Sequence, residues 1–351
     1  MTDGASRTPW RGLHVSRAAV RKNVAALLKA ANASSAMVEL PGNAYGHGLV
    51  EAAITVVPAG AGAISVTNAD DAIALRESGF TGPVWVTRIA TDDSLPALAE
   101  RGIGLVVGTD SLAIRALDAG IASLGISHGS GMRSASADDV VAIAASISLH
   151  PAHNELRSLV VIADSPSHAD DAANTLGAHD LAIDAIYVRA GLPLTVDGGF
   201  LPVLGAAVFG LSESDEAHAG VVPAARLTAP VLSLKHARAG IGVSYGYTYV
   251  TSTSTTLALV PFGYGDGIDR SAGNTVEAQI AGQRFTIAGR VAMDASVFDI
   301  QDAAVAIGDE VVFFGSGEGG EPTAQEWAAA LSMPSAAIVA GLTDRVNRMW
   351  V

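Results

Sequence analysis

Three lysines in 351 residues, Lys22, Lys29 and Lys235, leave few side chains for amine chemistry, and no cysteine is present. The lack of cysteine excludes disulfides, thiolate zinc sites and thiol catalysis. The residues that could still do chemistry sit in glycine-framed segments. Tyr45 and His47 lie in Ala44-Tyr45-Gly46-His47-Gly48, and Arg133 ends His128-Gly129-Ser130-Gly131-Met132-Arg133. Arg189 stands in Val188-Arg189-Ala190-Gly191-Leu192, and Tyr245 in Val243-Ser244-Tyr245-Gly246. Further on come Phe262-Gly263-Tyr264-Gly265-Asp266-Gly267 and Gly289-Arg290-Val291-Ala292-Met293-Asp294. Tyrosine and arginine in one pocket can transfer protons and stabilise anions without an imine. His128, in a turn rich in glycine and serine, reads as a solvated loop histidine. Asp266 and Asp294, in turn-like segments, read as loop caps.

The elements that must carry these residues follow from composition and periodicity. Apolar residues make up 49% and charged residues 16%, which describes a packed globular chain. At 351 residues it is longer than the roughly 250–300 at which single cores stop growing. With 21 Lys+Arg against 35 Asp+Glu the formal net charge is −14, which argues against nucleic acid and anionic membranes as partners. No signal-peptide pattern opens the chain and no apolar run is long enough for a bilayer, so a cytoplasmic protein is the default expectation.

Residues 1–10 read as a loose arm. From Leu13 to about residue 226, short β-branched runs alternate with helical patterns. Ala36–Leu40, Ala63–Val66, Pro83–Thr87, Gly104–Val107 and Ser158–Ala163 read as strands; Ala18–Ala31, Asn68–Ser78 and Ala137–Ile147 read as helices. Seven or eight such units predict an α/β fold, a parallel (β/α)8 TIM-like barrel over 11–226. Near Arg226 the rhythm changes to short strands with glycine-centred turns, among them Gly242–Val250 and a hairpin at Ala281-Gly282-Gln283. The expectation is a mainly β domain over 227–351.

Taken in order and spacing, Ala44–Gly48, Ser233-Leu234-Lys235, Val243–Gly246, Val260–Gly267 and Gly289–Asp294 resemble the signatures of the alanine racemases. That resemblance implies a pyridoxal-phosphate barrel fused to a β domain and a head-to-tail homodimer, with L- and D-alanine interconverted by a lysine on one face and a tyrosine on the other. Tyr245 matches the catalytic tyrosine. Tyr264, Met293 and Asp294 match residues that reach substrate or the dimer interface, and Arg133 matches the arginine supporting the tyrosine and cofactor. For cofactor binding the resemblance implies Tyr45, Thr175 of Ala173-Asn174-Thr175, Arg189 facing the pyridine nitrogen, and the amides of Gly191 and Leu192 around phosphate.

Several departures accompany this likeness. The cofactor lysine, four residues before the tyrosine of Ala-Tyr-Gly-His-Gly, is replaced by Pro41, which has no side-chain amine. The carbamylated lysine falls on Ile126, the barrel histidine near Ile162, and the terminal phosphate-touching tyrosine on Trp350. The resulting expectation is a racemase homologue with no covalently bound cofactor, inactive as a racemase and serving binding or assembly. Residual non-covalent pyridoxal phosphate or anion binding is compatible with the surviving residues. The partner is a second copy of the chain or an active racemase. Two other readings stay open: non-imine chemistry in the remodelled pocket, or an ordinary alanine racemase whose lysine lies elsewhere.

Overall fold

The computed structural model describes residues 10–189, 199–211 and 220–351. Its first strand, β1 (Gly12–Val15), belongs to a sheet completed much later in the chain. The next eight strands close into a parallel barrel: β2 (Ala36–Glu39), β3 (Ala61–Val66), β4 (Val84–Val86), β5 (Gly104–Val107), β6 (Ser123–His128), β7 (Ser158–Ala163), β8 (Ala185–Val188) and β9 (Leu201–Leu204). They read as near-continuous apolar runs because both faces are covered, one by barrel filling and one by helices. The filling comes from Met37, Ala63, Trp85, Val106, Val160, Ile162 and Tyr187. A Cβ on Gly104 would lie 2.4 Å from the Trp85 ring, so the glycine makes room for the indole. Closure falls to β9, which pairs with β8 on one side and β2 on the other.

Several helices begin where a polar residue supplies a cap. Asn68 Oδ1 accepts from the Asp71 amide at 2.8 Å to start helix Ala69–Glu77. Ser136 and Asp139 form a reciprocal capping box at the start of Ala137–Leu149, and Ser165 caps Pro166–Ala178 with proline in the first turn.

The second unit holds ten further strands among the described residues: β10 (Ala225–Pro230), β11 (Ser233–Ala237), β12 (Gly242–Val243), β13 (Tyr249–Val250), β14 (Thr255–Val260), β15 (Glu277–Ile280), β16 (Gln283–Thr286), β17 (Ser296–Gln301), β18 (Glu310–Phe314) and β19 (Asn347–Trp350). Six strands form one sheet in the order β16-β15-β18-β10-β1-β19, and β11-β14-β17 form another. Phe262, Phe298 and Phe313 are fully buried, with Phe262 and Phe298 at centroid distances of 5.0 and 6.1 Å from Phe313. Trp327 packs edge-on against Phe313 and donates its indole N–H to the Glu277 carbonyl at 2.9 Å. Burying each such ring stabilises by roughly 1.5–3 kcal/mol. The hairpin expected at Ala281-Gly282 is present, with φ of 48° and 79°, the left-handed pair of a two-residue turn.

Two expectations change. A division at 226/227 would cut through β10, which runs unbroken from Ala225 to Pro230. The division falls instead at Val208/Phe209, and β1 joins the later unit because Gly12–Val15 pairs with both β10 and β19. The strand expected over Gly242–Val250 is split into β12 and β13. Ser244, Gly246 and Tyr247 take φ of 60°, 76° and 49° and lift Tyr245 onto the connecting turn.

Gly46 and Gly42 separate two glycine roles. At Gly46 (φ +84°) a Cβ would lie 2.3 Å from the Val339 carbonyl oxygen, whereas at Gly42 (φ +57°) nothing lies within 4 Å. Gly42→Ala is expected to cost about 1 kcal/mol, the backbone penalty alone. Gly46→Ala should cost about 3 kcal/mol or more, since backbone must move. Urea unfolding of the two variants checks this, and equal costs would rule out the steric account.

Candidate functional site

A cavity of about 330 Å³ opens at the carboxyl ends of the barrel strands. Its charged walls are Glu39 at the end of β2, Arg88 after β4, Arg133 after β6, Asp164 after β7 and Arg189 after β8. The carboxyl end is where a parallel barrel presents side chains from several strands to one space. Glu39 Oε1 accepts from Arg189 Nη2 at 2.7 Å and from Nε at 3.1 Å, while Asp164 Oδ1 stands 3.6 Å from Arg189 Nη1. Asp164 Oδ2 also accepts the Ser130 amide at 3.1 Å. Arg189 is therefore engaged by carboxylates at the ends of β2 and β7. The guanidiniums of Arg88 and Arg133 have no partner among the described residues. Ser65, Thr67, Thr87, Ser127 and Ser134 add hydroxyls.

Pro41 lines this cavity, and no lysine does. Lys22 and Lys29 project into solvent from helix Arg17–Ala30, and Lys235 is exposed on β11. After Pro41 the chain turns left-handed: Gly42, Asn43 and Ala44 take φ of 57°, 58° and 57°, and Tyr45 follows at 53°. Non-glycine residues in that region cost roughly 1–2 kcal/mol each. The turn is held by Asn43, whose Oδ1 accepts the Leu49 amide at 2.8 Å and whose carbonyl accepts the Gly48 amide at 3.0 Å. Tyr45 is not part of the cavity lining; its ring tilts against Phe209 at 6.1 Å. His47 is fully buried and stacks on Phe209 at 4.1 Å. Trp350 donates its indole N–H to the His47 carbonyl at 2.9 Å, so it acts as a strap on this segment.

The other predicted residues lie in the β unit. The Tyr264 amide donates to the Ala292 carbonyl at 3.0 Å and the Gly265 amide to the Met293 carbonyl at 2.8 Å, zipping the two loops together. That brings Tyr264, Met293 and Asp294 to one surface, where Tyr264 is 40% and Met293 53% exposed. Ser244 Oγ donates to the Arg290 carbonyl at 2.5 Å and fastens the Tyr245 turn beside the same loop; Tyr245 is 68% exposed. Asp294 pairs with Arg345 at 2.5 Å. Asp266 is fully buried, caps the Gly263 amide at 2.8 Å and meets Arg11 and Arg345 at 2.9 and 3.1 Å. Nearby in the unit, Tyr249 donates to Asp299 at 2.7 Å, and burial together with that carboxylate pushes its hydroxyl up to about 12.

The structure therefore brings Pro41, Arg133 and Arg189 together, and Tyr245, Tyr264, Met293 and Asp294 together. Gly191 and Leu192 lie outside the described residues. Thr175 does not join the cavity. It is the tenth residue of helix Pro166–Ala178, about 14 Å along the axis from the end that starts at the strand's carboxyl end. Ser165 and Asp164 occupy the position near the mouth instead. His128 is not a solvated loop residue: it ends β6, is 3% exposed, and its Nδ1 bonds the Ala135 carbonyl at 2.7 Å. Ile126 and Ile162 are fully buried strand residues. Sequence reading passed over Glu39, Asp164 and Arg88, although each is a charge at the end of an apolar strand run, which was the available signal.

The Glu39–Arg189 pair is partly solvated, with side chains 26% and 33% exposed. A double-mutant cycle with Glu39→Gln and Arg189→Gln is expected to give a coupling of about 1 kcal/mol in urea unfolding. The coupling should shrink as salt is raised. A coupling indistinguishable from zero at low salt would show that the pair does not act as a unit.

Comparison with known proteins agrees with this architecture. Residues 15–133 match the family described as alanine racemase, N-terminal domain, and residues 224–350 match alanine racemase, C-terminal domain. The alanine racemase of Frankia casuarinae is 34% identical over 362 residues, covering 95% of this chain and 94% of that protein. The alanine racemase of Thermobifida fusca is 33% identical over 359 residues, covering 95% and 96%. Among solved structures, alanine racemase from D-cycloserine-producing Streptomyces lavendulae superposes with a TM-score of 0.86 at 30% identity, covering 99% of this chain and 98% of that one. With its barrel, its β unit and these relatives over nearly its whole length, the chain belongs to the alanine racemase family.

Proposed function

We propose that this chain is a non-catalytic member of the family, a binding or assembly protein whose barrel mouth does not hold pyridoxal phosphate as a lysine imine. The observation that carries this reading is Pro41 on the wall of a cavity that no lysine lines. A second feature points the same way. Arg189, which the family resemblance assigns to the cofactor's pyridine nitrogen, is already engaged by Glu39 and Asp164. The residues present do not fit the covalently bound cofactor.

Racemisation needs proton transfer on both faces of one carbon, and the lysine supplies one of those faces. Without it, much of the roughly 8–23 kcal/mol by which enzymes in general lower a barrier is out of reach. To test the reading, the protein is incubated with pyridoxal phosphate and reduced with borohydride, and its peptides are mapped. The expected result is no stoichiometric label on Lys22, Lys29 or Lys235. Full labelling of any one of them would overturn it.

The chain forms a homodimer in this reading, with Tyr245, Tyr264 and Met293 meeting the partner. These three exposed residues sit on adjoining turns, an arrangement expected of a surface that is covered in an assembly. Pairing with an active racemase would use the same surface. Sedimentation at micromolar concentration should show a dimer that Tyr245→Glu plus Met293→Glu weakens. A wild-type monomer would defeat this part of the proposal.

A further inference from the structure

A second cavity, of about 150 Å³, lies wholly within the β unit. Its walls include Phe314 at the end of β18, Trp327 and Leu331 of helix Ala324–Leu331, and Ile338 and Leu342 further on. Phe314, Trp327, Ile338 and Leu342 are buried. The Trp327 indole N–H is engaged by the Glu277 carbonyl, so the ring adds no donor to the cavity. Protein interiors keep few voids larger than a water molecule, because the walls of a void forfeit dispersion contacts. Backbone holds this one open. A Cβ on Gly267 would lie 2.3 Å from the Gly341 carbonyl oxygen, so these two lining segments already touch main chain to main chain. The Thr343 amide donates to the Asp266 carbonyl and its hydroxyl to the Gly265 carbonyl, both at 3.1 Å, which fixes that approach.

The charge at this cavity is negative. Asp269 lines it, and no lysine or arginine does. Asp269 Oδ1 accepts the Ser271 amide at 2.7 Å and the Ser271 hydroxyl at 2.6 Å, which leaves Oδ2 without a partner among the described residues. The hydroxyl bond, and after it the amide bond, hold this carboxyl below its ordinary range, so it stays ionised. Leu331 ends helix Ala324–Leu331, whose last turn carries no basic residue; the carboxyl end of a helix adds partial negative charge. Apolar walls that end at an unpaired carboxylate match a molecule with an apolar body and a cationic tip.

We propose that this cavity binds a small arylalkyl ammonium, its ring against Phe314, Trp327 and Ile338 and its ammonium group at Asp269. An apolar cavity of about 150 Å³ holds one benzene-sized ring. The site is separate from the barrel mouth and does not depend on the reading of Pro41.

Titration calorimetry on the full chain with benzylamine, benzyl alcohol and benzoate tests it, since the three share a ring and differ in charge. Benzylamine is expected to bind with a dissociation constant of about 1 mM or below. It should bind roughly fivefold tighter than benzyl alcohol, with benzoate weakest, and the margin should shrink as salt is raised. Asp269→Asn keeps a side-chain oxygen for Ser271 and should bring benzylamine down to the affinity of benzyl alcohol. Asp118→Asn, at a carboxylate paired with His150 elsewhere, should leave all three affinities unchanged. Ala337→Phe fills the cavity from its exposed edge and should abolish binding while the melting temperature is kept. Met333→Phe fills it from another wall residue and serves the same purpose if the first variant melts early.

Failure of benzylamine to bind at millimolar concentration would overturn the site, and so would an affinity that survives a folded filling variant. Benzyl alcohol or benzoate binding as tightly as benzylamine, or a benzylamine affinity unmoved by Asp269→Asn, would overturn the assignment of a cation. None of these outcomes bears on the borohydride test of the lysines.

Discussion

The barrel mouth depends on one ion pair. Glu39 leaves the end of β2 and Arg189 leaves the end of β8, and β9 runs between those two strands to close the barrel. The pair therefore spans the closing strand at its open end. The carboxylate follows the fully buried Ala36-Met37-Val38 but is itself partly solvated, so its pairing with Arg189 adds a modest stabilisation while orienting both side chains. Arg189 answers Glu39 and Asp164, and Arg88 and Arg133 are left without a partner among the described residues. The electrostatic character of the mouth follows from that assignment.

The second constraint is the turn that follows. Pro41 fixes its own φ and has no N–H to give, and the four residues after it take positive φ. Only Gly42 adopts that conformation cheaply. Asn43 offsets part of the cost with its bonds to the Leu49 and Gly48 amides. The strain and its compensation shape the connection from β2 to helix Leu49–Val56 whether or not the loop does chemistry. The tyrosine-glycine-histidine segment has packing reasons of its own: His47 is buried against Phe209, and a Cβ at Gly46 would strike the Val339 backbone. Packing accounts for Gly46 and His47 without reference to catalysis.

In the β unit the surviving motifs are equally structural from within. Asp266 is buried and gathers Arg11, Arg345 and the Gly263 amide, so the aspartate of Tyr-Gly-Asp-Gly organises three segments. Tyr264 and Met293 are carried on the loops joined by the Ala292 and Met293 carbonyls, and Tyr245 rides on an adjacent strained turn. A rigid platform presenting exposed aromatic side chains is what remains after the internal demands of Asp266 and Arg290 are met. No helix among the described residues is long and apolar enough to cross a membrane.

Local patterns along the chain set the alternation of strands and helices, the barrel, the change to a β unit and the proline at position 41. Each of these is local: periodicity, capping residues such as Asn68 and Ser136, the Ala281-Gly282 turn, and a proline side chain that carries no nitrogen to offer. Tertiary structure alone decided which distant residues meet. Glu39 and Arg189 are 150 positions apart, and their pairing depends on barrel closure through β9. The placement of β1 depends on strand pairing with β10 and β19, which no local pattern encodes. The misplacement of Thr175 has the same origin: a three-residue likeness carries no information about which end of a helix it occupies, and the Ser165 cap settles that. His128 looked solvated because its neighbours are glycine and serine, yet β6 extends through it and the Ala135 carbonyl fixes its ring. Chemistry borne by one residue is legible along the chain, whereas charge compensation between strands is a property of the closed barrel.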